Sequence, residues 1–261
     1  MPWLAGLLLI AWCGLAAAGG RLAIIIDDVG NDYLAAEEVL ELPPEVTVSV
    51  LPRLHNSARI ARRAHRQGRE VMLHQPMQAL QPKPLGPGGL TLAHTRADLA
   101  SVLRDNLASV PHAAGVNNHM GSLLTAEADC MRHFMAVLKQ QGDMYFVDSR
   151  THDFTHAEAT ARESGLRTAR RDVFIDHVRD PAAIRAQLLH AADLARKRGS
   201  AIAIGHPYPE TLAALRELLP QWQQQGMILL PVSEVIAHQR SPGSWHASSS
   251  PLPKVAKNSK P

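Results

Sequence analysis

Apolar positions along the chain fall into two rhythms. Short unbroken runs rich in β-branched residues occur at 22–26 (LAIII), 46–50 (VTVSV), 71–73, 113–116, 144–147, 173–175, 201–204 and 227–230. Such runs, bounded by polar or turn residues, predict strands buried on both faces, as in a parallel sheet. Between them lie longer stretches with helical spacing, at 33–40, 57–67, 95–109, 125–141, 156–164, 181–198, 209–225 and 232–237. Their ends carry local signals. Thr95 precedes Asp98 in a capping-box pattern, Thr125 is read as an N-cap, and Pro181 opens a helix that Gly199 closes. Residues 75–89 are rich in Pro and Gly and are read as one long loop able to act as a flap. Regular alternation of strand and helix predicts a parallel sheet with helical crossovers. The fold class expected is α/β: a single distorted (β/α) barrel of about seven strands, a parallel sheet with outer helices. An open doubly wound sheet is the second choice, but no G-x-G-x-x-G follows the first strand and no P-loop is present.

The ends of the chain break the pattern. Residues 1–20 contain no charge and close on Ala-Ala-Ala-Gly-Gly, which reads as an exported signal peptide. Its apolar run is shorter than the roughly 20 residues that span a bilayer, so membrane contact is expected only if the segment stays uncleaved. Either way the barrel, residues 21–238, is expected in the periplasm or outside the cell. Residues 239–261 are rich in Ser and Pro and read as a disordered basic tail. The tail holds four cations and no acid, so the net charge of +3 leaves −1 for residues 1–238. The basic balance therefore belongs to the tail, and no nucleic-acid partner is expected. Two cysteines, one of them in the leader, exclude a disulfide scaffold.

Fourteen histidines in 261 residues point to metal or acid–base chemistry. Their placement is selective. The strand at 22–26 runs into Asp27-Asp28, the one at 71–73 into His74, and the one at 113–116 into Asn117-Asn118-His119. The strand at 144–147 runs into Asp148 and the one at 201–204 into Gly205-His206. In a β/α barrel the C-terminal ends of the strands share one face, where the active site lies. Adjacent carboxylates at 27 and 28 repel unless a cation lies beside them. His74 and His119, in segments read as irregular rim loops, are candidate ligands. Asp148 is equally suited to capping the next helix, and His177 is left open.

These pieces resemble a known family. IIIDDVG (24–30), EVMLHQPMQ (70–78), GVNNHMGS (115–122), FVDSRT (146–151), RDVFIDH (171–177) and AIGHPYPET (203–211) resemble the divergent polysaccharide deacetylases, a branch of the carbohydrate esterase superfamily with a distorted (β/α) barrel. The resemblance implies that Asp27 is the catalytic base, Asp28 and His74 are metal ligands, and His206 is the general acid. Where the wider superfamily has a second His, this chain has Gln78, and its Arg and Pro-Tyr motif is absent; the resemblance implies His119 as the replacement ligand. One carboxylate and two imidazoles suit a divalent metal, Zn²⁺ first, with a position open to water. Asn117, Asn118 and Asp148 are expected to contact substrate, with Tyr208 as a stacking platform and Trp222 in the core. The expected activity is metal-assisted removal of acetyl groups from an envelope polysaccharide or peptidoglycan-like glycan. The alternatives are a non-catalytic envelope scaffold with the same fold, or a hydrolase of peptide or phosphate bonds.

Overall fold

The computed structural model describes residues 19–240; all but the last two residues of the expected leader and all but the first two of the expected tail lie outside them. The elements alternate: β1 (Arg21–Val29), α1 (Tyr33–Val39), β2 (Thr47–Val50), α2 (Ser57–Arg66), β3 (Val71–Met77), α3 (Arg96–Ser109), β4 (Ala113–Met120), α4 (Ala128–Lys139), β5 (Tyr145–Asp148), α5 (Ala157–Glu163), β6 (Arg167–Arg170), β7 (Val173–Phe174), α6 (Pro181–Arg198), β8 (Ser200–Gly205), α7 (Pro209–Gln224), β9 (Ile228–Leu229) and α8 (Val232–Arg240). The strands pair in parallel in the order β6-β5-β4-β3-β2-β1-β8-β7, and β9 pairs with the start of β1. The sheet has nine strands among the described residues, against about seven expected. Its two end strands, β6 and β7, are separated in sequence only by Arg171 and Asp172. Arg171 N–H donates to Asp148 O on β5, and Asp172 N–H to Ile202 O on β8, each at 2.9 Å. The curled sheet is thus closed by a covalent clasp instead of a ladder, which is the distortion of the barrel.

Strand alternation sorts the core into two layers. Leu22, Ile24 and Ile26 of β1 pack outward among the helices. Ala23 and Ile25 face inward with Met72, Tyr145, Val147, Ile202 and Ile204. The inner layer is sealed by Val232, Val235 and Ile236 of α8, each buried side chain contributing roughly 1.5–3 kcal/mol. Val232 N–H donates to Thr47 Oγ1 at the start of β2, and Gln239 Nε2 to Ser200 Oγ at the start of β8. The plug therefore closes the N-terminal end of the strands, and only their C-terminal ends remain open.

Several local expectations change. β3 runs through Gln75 and Pro76 to Met77, and β4 through His119 to Met120, because the two pair residue for residue from Met72–Gly115 to Met77–Met120. His74 and His119 thus sit in strands, not in rim loops. The capping box at Thr95 and Asp98 forms, but Thr125 does not cap α4. Its hydroxyl donates to Gly121 O within a 3-10 turn, Leu124–Ala126, ahead of that helix. β6, with the polar sequence RTAR, was not anticipated. α8 continues through Gln239 and Arg240, two residues into the expected tail.

Candidate metal and acid–base centre

Consecutive residues in a strand point to opposite faces, so Asp27 and Asp28 should not serve one site. A bulge brings them together. Between Ile26 and Val29, β1 has one residue more than β2, and Asp28 adopts φ 57°. Asp tolerates this left-handed conformation better than most residues. Asp27 keeps the inward phase of Ala23 and Ile25 and is buried, while Asp28 turns over the end of the barrel.

On β3 and β4, His74 pairs with Asn117 and Pro76 with His119, so His74, Asn117 and His119 share the inner face. Asp28 Oδ1 lies 3.1 Å from His74 Nε2 and 2.8 Å from His119 Nδ1, and those two nitrogens are 3.1 Å apart. Neither imidazole is aligned to donate a hydrogen bond to Asp28 Oδ1, which is enclosed and unsatisfied. Asn117 Nδ2 donates to Asp27 Oδ1 at 2.8 Å, which fixes its amide orientation. Asn117 Oδ1 then accepts from Ser49 Oγ at 2.7 Å and from His74 Nδ1 at 2.8 Å. With its proton on Nδ1, neutral His74 presents the Nε2 lone pair to the cluster. Tetrahedral Zn²⁺ with bonds of about 2.0–2.1 Å separates its ligands by about 3.3 Å. The triangle needs to open by only a few tenths of an ångström, so Asp28, His74 and His119 fit a divalent metal.

The same charges act on the protons. Burial pulls the His74 pKa down, but the Asp27 and Asp28 carboxylates outweigh it and push it up to about 9. Burial raises the Asp28 carboxyl, and the two imidazoles beside it hold it well below the usual range. A histidine whose folded pKa exceeds its unfolded value of about 6.5 adds stability that is full below that value and lost as pH rises through the folded one. We expect the metal-free protein to lose on the order of 3 kcal/mol between pH 6.5 and 9. Urea unfolding in a chelator would measure this, and equal stability at the two pH values would refute the coupling.

His206, at the end of β8, faces the cluster from the other side, with Nε2 3.7 Å from Asp28 Oδ2. Asp176, just after β7, holds it. Asp176 Oδ1 accepts from His206 Nδ1 at 2.9 Å, and its Oδ2 accepts from His206 N–H and Thr211 Oγ1. Burial lowers the His206 pKa, but Asp176, with Asp27 and Asp28 behind it, raises it overall. Gly205 makes the approach possible: a Cβ there would stand 3.2 Å from Asp176 Oδ2.

The structure brings together Asp27, Asp28, His74, His119 and His206, and recasts three other residues. Asn117 is buried and orients Asp27 and His74, so it is a positioning residue, not a substrate contact. Asn118 points away, donating to Met120 O and accepting from Ser149 N–H. Asp148 shares the outward phase of Phe146 and accepts from Arg150 N–H, Thr155 Oγ1 and Glu158 N–H, anchoring the loop and first turn of α5. Gln78, where the wider superfamily has its second His, is turned aside to accept from Leu92 N–H. His177 is exposed, and Trp222 is in the core. Sequence reasoning missed Ser49, Asp176 and Arg171. The Arg171 guanidinium lies 4.4 Å from the Phe174 ring centroid and donates to Ser149 O and Arg150 O, pinning the clasp. For Asp176 the signal was its place directly after a short apolar run, 173–175, as for Asp27 and His74.

Residues 24–236 match the divergent polysaccharide deacetylase family. The chain belongs to that family. It is 38% identical over 200 residues to the uncharacterized protein YibQ of Escherichia coli (strain K12), covering 77% of this chain and 62% of that one. The match thus spans less than two-thirds of the length of that relative. An uncharacterized Haemophilus influenzae protein is 37% identical over 199 residues, covering 76% and 71% of the two chains. Among solved structures, an uncharacterized protein from Agrobacterium tumefaciens superposes with a TM-score of 0.79 at 23% identity, over 90% of this chain and 92% of that one. A mutant of a CE4 family pseudoenzyme with restored enzymatic activity superposes at 0.50 with 16% identity, over 83% and 67%. Both likenesses concern the fold. This polysaccharide deacetylase-like barrel thus has the family's architecture and a possible Asp–His–His metal site.

Proposed function

We propose that the protein is an exported, metal-dependent hydrolase of the polysaccharide deacetylase type that removes acyl groups, acetyl being the simplest, from an envelope glycan in the periplasm or outside the cell. The observation that carries this reading is the placement of an oriented base and an oriented acid beside one metal-ligand triangle. Asp28, His74 and His119 would hold the metal. Bound Zn²⁺ would supply Lewis acidity toward the acyl carbonyl and lower the pKa of a water to about 7.

Asp27 is the general base: Asn117 fixes its Oδ1, and its Oδ2 has no hydrogen-bond partner among the described residues. His206 is the general acid. Asp176 takes its Nδ1–H and so leaves Nε2, on the site side, to protonate the leaving nitrogen or oxygen. Tyr208, with its ring 5.5 Å from that of His206, borders the leaving-group side. Water adds to the acyl carbon, the C–N or C–O bond breaks, and the acid and the free amine or alcohol depart.

The diversion of Gln78 favours a second reading, a non-catalytic scaffold. Acetate release from acetylated glycan fragments separates the two. Release that depends on added Zn²⁺ supports the hydrolase. No release with Zn²⁺, Co²⁺, Ni²⁺ or Mn²⁺ would leave the scaffold.

A further inference from the structure

A cavity of about 350 Å³ opens directly beside Asp28 and His119. Leu51 and Leu54, beyond β2, form one wall, and Pro84, Leu85 and Pro87 of the long loop form the other. Apart from the two ligands and Asn31, every lining side chain is apolar or glycine. The far wall is held in place at its base. Gly88 O accepts from Gln75 Nε2 at 3.0 Å and Asn106 Nδ2 at 2.8 Å, and Leu90 N–H donates to Pro76 O at 2.8 Å. The loop is therefore pinned from Gly88 onward, while Pro84, Gly86 and Pro87 are exposed.

Its position relative to the acid gives it a role. β1, which carries Asp28, is flanked by β2 on one side and β8 on the other. His206 stands on the β8 side and does not line the cavity, which lies toward β2 and β3. A scissile bond placed over Asp28 with its leaving group toward His206 directs the acyl substituent into the cavity. Besides Asp28 and His119, Asn31 is the one lining side chain able to hydrogen-bond, so a sugar ring there would find few side-chain partners for its hydroxyls. An acetyl methyl would leave most of the space empty. A cavity of about 150 Å³ suffices for benzene, so this one has room for an alkyl chain of roughly six to ten carbons.

We propose that the apolar cavity between Leu51, Leu54 and the 84–87 loop is an acyl pocket, and that the preferred substrate carries a medium-chain aliphatic acyl group in place of acetyl. This rests on the hydrolase reading for its catalytic consequence, but not for binding. Uncharged primary amides from acetamide to octanamide, titrated calorimetrically into the full chain, test the pocket without turnover. Affinity should rise about fourfold per methylene until the pocket is full. Leu85→Trp and, separately, Leu54→Trp should each flatten that rise. Equal affinity for acetamide and octanamide in the unsubstituted protein would overturn the pocket. A p-nitrophenyl ester series on the Zn²⁺-loaded protein then separates the two ideas. Octanoyl turnover above acetyl supports both, and acetyl turnover without a length preference overturns the acyl pocket alone. Length-dependent amide binding with no ester cleaved overturns the hydrolase and leaves the pocket.

Discussion

His119→Ala will abolish stoichiometric metal binding while leaving the fold intact. His119 sits at the end of β4, partly exposed, with its ring edge toward His74 and Asp28 and no structural hydrogen bond elsewhere. Its removal takes one of three ligands from the triangle, and no fourth His, Cys, Asp or Glu among the described residues joins that group. Plasma emission analysis after dialysis should read one Zn²⁺ per wild-type chain and below a tenth in the variant, with unchanged circular dichroism. His74→Ala should do the same, though it also empties a fully buried position. Asn117→Ala is the graded control. It removes the group that orients His74 and Asp27, and loss of such an outer partner typically weakens metal affinity 10–100-fold without abolishing it. Full occupancy in His119→Ala would remove His119 from the ligand set.

His206→Ala should lower kcat/KM for acyl release by about 10²–10⁴-fold, the usual contribution of one general acid, with metal content unchanged. The companion variant Asp176→Asn tests the mechanism by which the acid works. Asp176 is the main group holding the His206 pKa above its ordinary value. His206 is competent only while protonated, so activity is lost on the alkaline side as pH rises through its pKa. Removing the carboxylate lowers that pKa, and the alkaline limb of the kcat/KM profile should move to lower pH. A reduced rate with an unmoved limb would make Asp176 a packing residue only.

Much of this was legible in the sequence because a parallel barrel writes its active face in a simple form: apolar runs ending in Asp, Asn or His. That rule found Asp27, His74, His119 and His206. It failed where the phase of a strand decides. Asn118 and Asp148 also follow apolar runs, yet alternation from Asn117 and from Val147 turns them outward into loop anchoring. Asp28 would be excluded by the same alternation, and only the bulge, invisible in the letters, brings it back. Pro76 and the asparagines concealed how far β3 and β4 extend, since neither residue type favours strands. β6 was hidden because two of its four residues are arginines at an edge. Asp176 was missed because its role exists only when the clasp folds it against β8.

That clasp divides the centre into parts of unequal robustness. Asp28, His74 and His119 hang on β1, β3 and β4, which lie in one continuous ladder. Asp176 hangs on β7, a two-residue strand joined to β8 alone. Local opening at the Arg171–Asp172 joint would release His206 from its carboxylate before it disturbed the triangle. Release of His206 from Asp176 and disruption of the Asp28–His74–His119 triangle are therefore separate unfolding events, and the first needs less free energy than the second.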